Sequence, residues 1–236
     1  MRTLLLPGMD GTGELFASCV RFLAADLQPQ IVAYSRERPL GYEELLQEVP
    51  IPAAPFAILA ESFSGPLGIR IAARHPDRVR AVVLVSTFVR CPAPFLARLA
   101  TLLAPLMLRR PPPASVLRWA LMGNDAIPSE IAEVQAVLRS VPAKTLARRL
   151  RAIVEIDVSK EFAAIEAPVL YVAGTRDRLV GPTVAEQLRG LRSDLEVCHL
   201  DAPHLVLQRR PAEAAAAISR YLLANSRFPR NRSPLK

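Results

Sequence analysis

Phe56-Ala57-Ile58-Leu59-Ala60-Glu61-Ser62-Phe63-Ser64-Gly65 runs apolar and then stops at a serine set among small residues. Residues 56–60 read as a buried strand and residues 66–75 as the helix that follows it. A serine on such a strand-to-helix turn can be held up as a nucleophile. The turn brings the two backbones close, so the positions two before and two after the serine must be small, usually as G-x-S-x-G. Here those positions are Ala60 and Ser64, followed by Gly65. Taken alone, the run is explained better by Ser62 as a plain helix N-cap. Ser64 is a rival hydroxyl but falls inside the first helical turn. The remainder of the chain must therefore supply an acid, a base and oxyanion donors.

Outward from this run, strands and helices alternate. Residues 3–6 read as a strand broken by Pro7-Gly8, residues 14–27 as a helix, 31–34 as a strand and 42–49 as a helix. A further strand is expected at 82–85. Such alternation predicts a mainly parallel α/β sheet with helices on both faces. The pattern breaks at Arg90. From Cys91 to about Ala164 there is no convincing strand. Helical stretches at 95–108, 114–122, 129–138 and 144–153 are separated by prolines. Alternation returns with a strand at 169–173, a helix at 183–191, a strand at 195–200 and a helix at 211–224. The expected organisation is a core of residues 1–90 and 165–224, a helical insertion of 91–164 and a disordered basic tail of 225–236.

The bulk composition agrees with a globular enzyme-sized chain. Its 236 residues are 51% hydrophobic and 22% charged, enough for one α/β domain with an insertion. No apolar run approaches the ~18 residues of a membrane span, and Pro7-Gly8 cuts the first apolar stretch too early for a signal-peptide core. A cytoplasmic protein without integral membrane association is expected. The formal charge is +8, but Arg227, Arg230, Arg232 and Lys236 in the tail supply half of it. The remaining body is only mildly basic, so nucleic acid is not the expected partner. Cys19, Cys91 and Cys198 have no metal-like spacing and read as reduced structural thiols, with Cys198 a small core residue. No metal or organic cofactor is expected.

Two partners for Ser62 stand out. Asp177 follows the strand at 169–173, in Gly174-Thr175-Arg176-Asp177-Arg178, where a carboxylate can orient an imidazole. The alternative is a loop aspartate paired with Arg176 or Arg178. His204 lies in Asp201-Ala202-Pro203-His204-Leu205, just past the last strand, where a general base can reach a serine. His75 sits at a helix end, where capping explains it, and His199 lies within a strand and is expected to pack. Asp201 is a rival acid, but so close in sequence that it is expected to shape the loop. Leu6-Pro7-Gly8-Met9-Asp10-Gly11-Thr12-Gly13 can turn backbone N–H groups toward a developing oxyanion. Its glycines match neither G-x-G-x-x-G nor a phosphate loop.

With these four groups in place the sequence resembles the α/β-hydrolase superfamily, from Leu4 to about Leu223. The order Ser62, Asp177, His204 matches that superfamily's triad order. The run Ala73-Arg74-His75-Pro76-Asp77-Arg78-Val79, followed by Val82-Val83-Leu84-Val85-Ser86-Thr87, looks like its helix and strand after the nucleophile. The resemblance implies a catalytic triad of Ser62, Asp177 and His204, with the amides of Met9 and Phe63 as the oxyanion hole. It also implies that residues 91–164 form a cap over the pocket. The chain starts directly at the strand before the oxyanion loop, without the superfamily's leading hairpin.

The cap, and the run Ile156-Asp157-Val158 with Ile165-Glu166-Ala167-Pro168-Val169-Leu170, look similar to pimeloyl-[acyl-carrier protein] methyl ester esterases. That likeness implies cleavage of a methyl ester on a small or medium acyl chain, as in biotin biosynthesis, and a basic cap gripping an acidic acyl carrier protein. Arg148 and Arg151 are the partner-binding candidates, among Arg139, Lys144, Arg149 and Lys160. A solvated helix face explains the same charges. The loop 8–13 also resembles an acyltransferase-like branch that uses an alcohol instead of water. The expected activity is a serine carboxylesterase acting on a small-molecule acyl ester. Alternatives are a thioesterase, an acyltransferase, or a non-catalytic ligand-binding protein of the same fold. Phe95, Leu96, Leu99, Leu102, Leu103, Leu106 and Met107 form an apolar stripe that either packs on the core or lines an acyl pocket.

Overall fold

A computed structural model of the chain describes residues 1–181 and 183–226. β1 (Arg2–Leu6) leads through a 3-10 turn (Glu14–Phe16) into α1 (Ala17–Val20). Next come β2 (Gln28–Ile31), α2 (Tyr42–Glu48), β3 (Phe56–Glu61), a 3-10 turn (Ser62–Ser64), α3 (Gly65–Arg74) and β4 (Val79–Val85). A helical stretch follows: α4 (Pro94–Met107), α5 (Ala114–Leu117) running into a π turn (Arg118–Met122), α6 (Pro128–Arg139), α7 (Ala143–Glu155) and α8 (Ser159–Ala164). β5 (Val169–Gly174), α9 (Val184–Leu191), β6 (Glu196–Leu200), α10 (Val206–Arg209) and α11 (Pro211–Ala224) complete the described chain.

The described strands form one six-stranded sheet in the order β2-β1-β3-β4-β5-β6, every neighbouring pair parallel. The parallel α/β architecture is therefore as expected. β3 and β5 are buried along their whole length, which is why they read as unbroken apolar runs: both sheet faces are covered. Side chains still alternate. Leu4, Leu6, Ile58, Val82 and Leu84 share one core layer with α2, α3, α8 and α9. Leu5, Leu59, Val83 and Val85 share the other with Phe16, Val206, Ile218 and Leu222. A third cluster joins Leu117, Met122, Ile131, Val134 and Val137 of the inserted helices to Leu15 and Leu205. Each buried aliphatic side chain contributes about 1.5–3 kcal/mol, so the insertion is anchored on the core.

The strand order creates the site. From β1 the chain moves outward to β2, then returns to the other side of β1 for β3. The connections leaving β1 and β3 diverge, and a crevice opens at their C-terminal ends. The loop of residues 7–13 and the turn at Ser62 are its two walls.

Several boundaries differ from the sequence reading. The second strand is Gln28–Ile31, three residues earlier than expected. It is the sheet edge and mostly exposed, so it carries no apolar signal. Val32 and Tyr34, which do, instead bond from their amides to the carbonyls of Leu5 (3.0 Å) and Gly11 (2.7 Å). The helix expected over 14–27 ends at Val20 and becomes turns, with the Ala24 amide donating to Ser219 Oγ of α11 at 3.0 Å. α8 escaped the reading altogether; Asp157 Oδ1 accepts the Ser159 amide at its start, 2.9 Å. The chain returns to the sheet there, for Val158 donates to Val89 (2.9 Å) and Phe162 is fully buried in the first core layer.

His199, expected to pack, is exposed on edge strand β6, and Cys198 is only half-buried. Asn225 caps α11 through its side chain. Of the tail expected to be disordered, residues 227–236 lie outside the described residues. No helix among the described residues is long and apolar enough to cross a membrane.

Candidate active site

Ser62 begins the turn after β3 with φ 50°, a left-handed conformation that a serine rarely adopts. Such a backbone persists only where its surroundings over-determine it. Thr87 Oγ1 donates to the Ser62 carbonyl. Tyr42 Oη donates to the Phe63 carbonyl at 2.7 Å, with the two rings stacked at 4.7 Å. Gly65 lies against Thr87 so closely that an added Cβ would sit 2.6 Å from Thr87 Cγ2. Ser64 is not free to act as a nucleophile. It is fully buried, donates to the Pro7 carbonyl, and accepts from Tyr34 Oη at 2.6 Å. It therefore ties the turn to the loop after β1.

The crevice brings together the three side chains singled out in the sequence. Ser62 Oγ lies 2.8 Å from His204 Nε2, and His204 Nδ1 lies 2.8 Å from Asp177 Oδ2. The other carboxylate oxygen of Asp177 accepts the amides of Leu179 (2.9 Å) and Val180 (3.0 Å). Burial pushes the Asp177 carboxyl up, but His204 and those two amides outweigh it and hold the group below its ordinary value. Asp177 is thus a charged acceptor that fixes the imidazole with Nδ1–H toward it and Nε2 toward the serine. Arg176 does not compete for it, being paired with Asp201 at 2.7 Å and Asp125 at 3.6 Å. Asp201 is exposed and shapes the loop through Arg176 and Arg210. The inserted helices also reach this loop: the Leu205 amide donates to the Leu121 carbonyl, 2.9 Å.

The opposite wall is the loop of residues 7–13. Asp10 Oδ1 accepts the amide (2.9 Å) and hydroxyl (2.6 Å) of Thr12, and the Gly11 amide donates to the Gly8 carbonyl, 3.0 Å. Among the described residues the Met9 amide donates to no acceptor. Phe63, second in the turn that opens α3, has an N–H with no intrahelical partner. Met9 lies in the loop after β1 and Phe63 directly follows Ser62 in the turn after β3.

Three functional candidates escaped the sequence reading. Arg149 of α7 is wholly buried and donates to the carbonyls of Met9 (3.0 Å), Asp10 (2.7 Å) and Ser35 (3.0 Å). Burial lowers its pKa and the nearby Asp10 charge works against that. Gly11, at φ 68°, is where it packs: an added Cβ would meet the guanidinium carbon at 2.8 Å. Arg149 therefore does not belong to the basic surface to which the sequence reading assigned it. The signal was there in helical spacing, since Thr145, Arg149 and Ala152 share the buried face of α7. Asp10, which braces the loop, is the second. The third is Glu61, directly before Ser62. Burial, then the Asp10 charge, push its carboxyl up to about 7.

Arg148 packs on Gly41 and pairs with Glu44 (3.6 Å) and Glu155 (4.0 Å), while Arg151 is exposed. Of the apolar stripe in α4, Phe95, Leu99 and Leu102 face solvent; the side chains of Leu96, Leu103, Leu106 and Met107 lie outside the described set. A cavity of about 280 Å³ is instead lined by Met9, Leu108, Leu121, Leu138 and Leu146 together with Arg109, Arg110 and Arg139; it adjoins the loop of residues 7–13, and neither Ser62 nor His204 lines it. No cluster of three His, Cys, Asp or Glu among the described residues is placed to hold a metal ion.

Comparison with known proteins agrees with this fold. The family described as Serine aminopeptidase, S33 matches residues 42–197. No curated protein sequence matches the chain. The fold recurs in the enol-lactonase from Burkholderia xenovorans LB400, with 20% identity, a TM-score of 0.83, and coverage of 94% of this chain and 91% of that one. It recurs in a thermophilic esterase from Thermogutta terrifontis (17% identity, TM-score 0.71, coverage 95% and 90%). A bromoperoxidase from Bacillus anthracis shares it too (15% identity, TM-score 0.75, coverage 94% and 91%). At these identities what is shared is the fold.

Proposed function

We propose, from the premise that this chain belongs to the serine aminopeptidase S33 family of α/β hydrolases, that it is a serine carboxylesterase working through an acyl-enzyme. The observation that carries the reading is the unbroken relay from Ser62 Oγ through the His204 ring to Asp177, both links 2.8 Å. His204 Nε2 takes the Ser62 proton as Oγ attacks the ester carbonyl. Asp177 holds the ring and stabilises the imidazolium. The amides of Met9 and Phe63 receive the oxyanion, each such donor lowering the barrier by roughly 3–4 kcal/mol. His204 then returns the proton to the departing alcohol and later deprotonates the water that releases the acid.

We assign the acyl chain to the cavity lined by Met9, and an ester suits it better than a peptide with a free N-terminus. An aminopeptidase must hold a substrate ammonium, whereas the charged residues lining the Met9 cavity are Arg109, Arg110 and Arg139, which repel it. The mainly apolar wall supports a small or medium acyl chain. A methyl ester carried on an acyl carrier protein is the narrower reading, with exposed Arg151 and the partly exposed Arg148 facing the acidic carrier.

The test is turnover of p-nitrophenyl acetate and butyrate, wild type against Ser62→Ala, with mass spectrometry after fluorophosphonate labelling. Ser62-dependent turnover and a single label on Ser62 are expected. No turnover and no label would leave a ligand-binding protein of this fold. Charge reversal at Arg148 and Arg151 should weaken a carrier-linked substrate and spare p-nitrophenyl esters; equal effects on both would remove the carrier.

A further inference from the structure

We infer that a second cavity, separate from the Ser62 crevice, binds a small anion carried on a flat ring, as in an aromatic carboxylate or an aryl phosphate. This cavity of about 490 Å³ opens between the π turn of the inserted helices and the loops that follow β5 and β6. Neither Ser62 nor His204 lines it, although Asp177 forms part of its wall. Its size falls within the range of small-molecule sites.

The charge in this cavity is unbalanced. Arg176 is engaged by Asp125 and Asp201. The Asp177 carboxylate is spoken for by His204 and two amides. Arg118 and Arg178, by contrast, have no carboxylate within ion-pair distance among the described residues. Arg118 Nε reaches only the Ala126 carbonyl, 3.3 Å, and Arg178 Nη1 only the Trp119 carbonyl, at 3.5 Å. Two guanidiniums therefore border an open volume with donors to spare, and a guanidinium fork suits a carboxylate or phosphate.

The second observation is Trp119. Its side chain lines the cavity yet the residue stays 59% exposed, with the Arg178 guanidinium 5.7 Å from its ring centroid. A flat ligand stacked on that indole would cover apolar surface now in water, while its anionic group took the adjacent guanidiniums. A neutral ring leaves the charges unanswered. A bare anion leaves the indole uncovered. The combination selects a ligand that has both.

Trp119 is the only tryptophan of the chain, so its fluorescence reports on this cavity alone. Benzoate and phenyl phosphate are titrated against the wild-type protein, with acetate, inorganic phosphate and benzamide as controls. A saturable change is expected with one or both ring anions, at least about tenfold tighter than with any control. Whichever binds identifies the anion as carboxylate or phosphate. Arg118→Gln and Arg178→Gln, which keep the reporter, should each weaken that binding about fivefold or more. Trp119→Leu should weaken it by calorimetry. Circular dichroism confirms that each variant is folded. No saturable change from either ring anion at ~10 mM, equal binding of benzamide, or unchanged affinity in the Arg118→Gln/Arg178→Gln double variant would each overturn the inference. These readings need no ester turnover, so they stand or fall independently of the proposed hydrolysis.

Discussion

Replacing Arg149 by methionine tests how the inserted helices support the reaction centre. Methionine keeps much of the volume but leaves the buried carbonyl of Asp10 and the half-buried carbonyls of Met9 and Ser35 without the donors that now reach them at 2.7, 3.0 and 3.0 Å. Each stranded acceptor costs about 1–3 kcal/mol. Against this, burying a guanidinium that has no carboxylate in ion-pair distance among the described residues carries a desolvation penalty of several kcal/mol, which the variant no longer bears. The second offsets part of the first, and a net loss on the order of 3 kcal/mol is expected in urea unfolding.

The kinetic effect is more specific. Arg149 holds the carbonyl of Met9, the residue whose amide we propose receives the oxyanion. Full loss of one such donor corresponds to about 10²–10³ in kcat, and a loosened loop should lose part of that, roughly ten- to a hundredfold. KM should stay within about twofold, since the oxyanion exists only after attack. Arg149→Lys, which restores charge and some of the donors, should fall between. The assay is p-nitrophenyl butyrate turnover under conditions where urea titration shows each variant folded. A folded Arg149→Met protein with kcat within about threefold of wild type would refute the reasoning, because the loop would then hold its shape without the clamp.

Gly65→Ala places a methyl group 2.6 Å from Thr87 Cγ2, at a backbone conformation alanine tolerates, so the cost is steric. A loss of about 1–3 kcal/mol is expected in thermal unfolding. The lost Thr87 bond to Ser62 should lower kcat as well, and Thr87→Ala should relieve part of the clash. Strictly additive stabilities in the double variant would argue against a shared contact.

Glu61, with its folded pKa raised to about 7 from 4.5, holds its proton more tightly folded than unfolded. Its contribution to stability is full below pH 4.5, falls as pH rises through the folded value, and stays low above it. That gap is on the order of 3 kcal/mol. Glu61→Gln should therefore gain stability over wild type between pH 5 and 8. Parallel stability curves for the two proteins across that window would rule the assignment out.

Much of this site was legible in the linear chain because its pieces are local. Residues 56–65 carry an unbroken apolar run and a cluster of small residues, and that suffices to place a strand, a tight turn and a helix around Ser62. Asp177 follows β5, whose apolar run is equally plain, and His204 follows β6, an edge strand with the weaker pattern Glu196-Val197-Cys198-His199-Leu200. β2 was misplaced because an edge strand buries little and so leaves no pattern. The helix over 14–27 was overextended because Leu23 and Leu27 are apolar for the sake of the layer beneath α11, not of a continuing helix.

The sequence alone determined the parallel α/β architecture, the helical insertion and the order Ser62, Asp177, His204, since periodicity and turn chemistry act over a few residues. Only the tertiary structure decided that Arg149 turns inward to hold the Met9 loop, that Glu61 is buried beside Asp10, and that Arg118 and Arg178 meet Trp119 around an open cavity. The charge state and partner of a buried ionisable group depend on contacts with segments distant in sequence, and no local pattern encodes them.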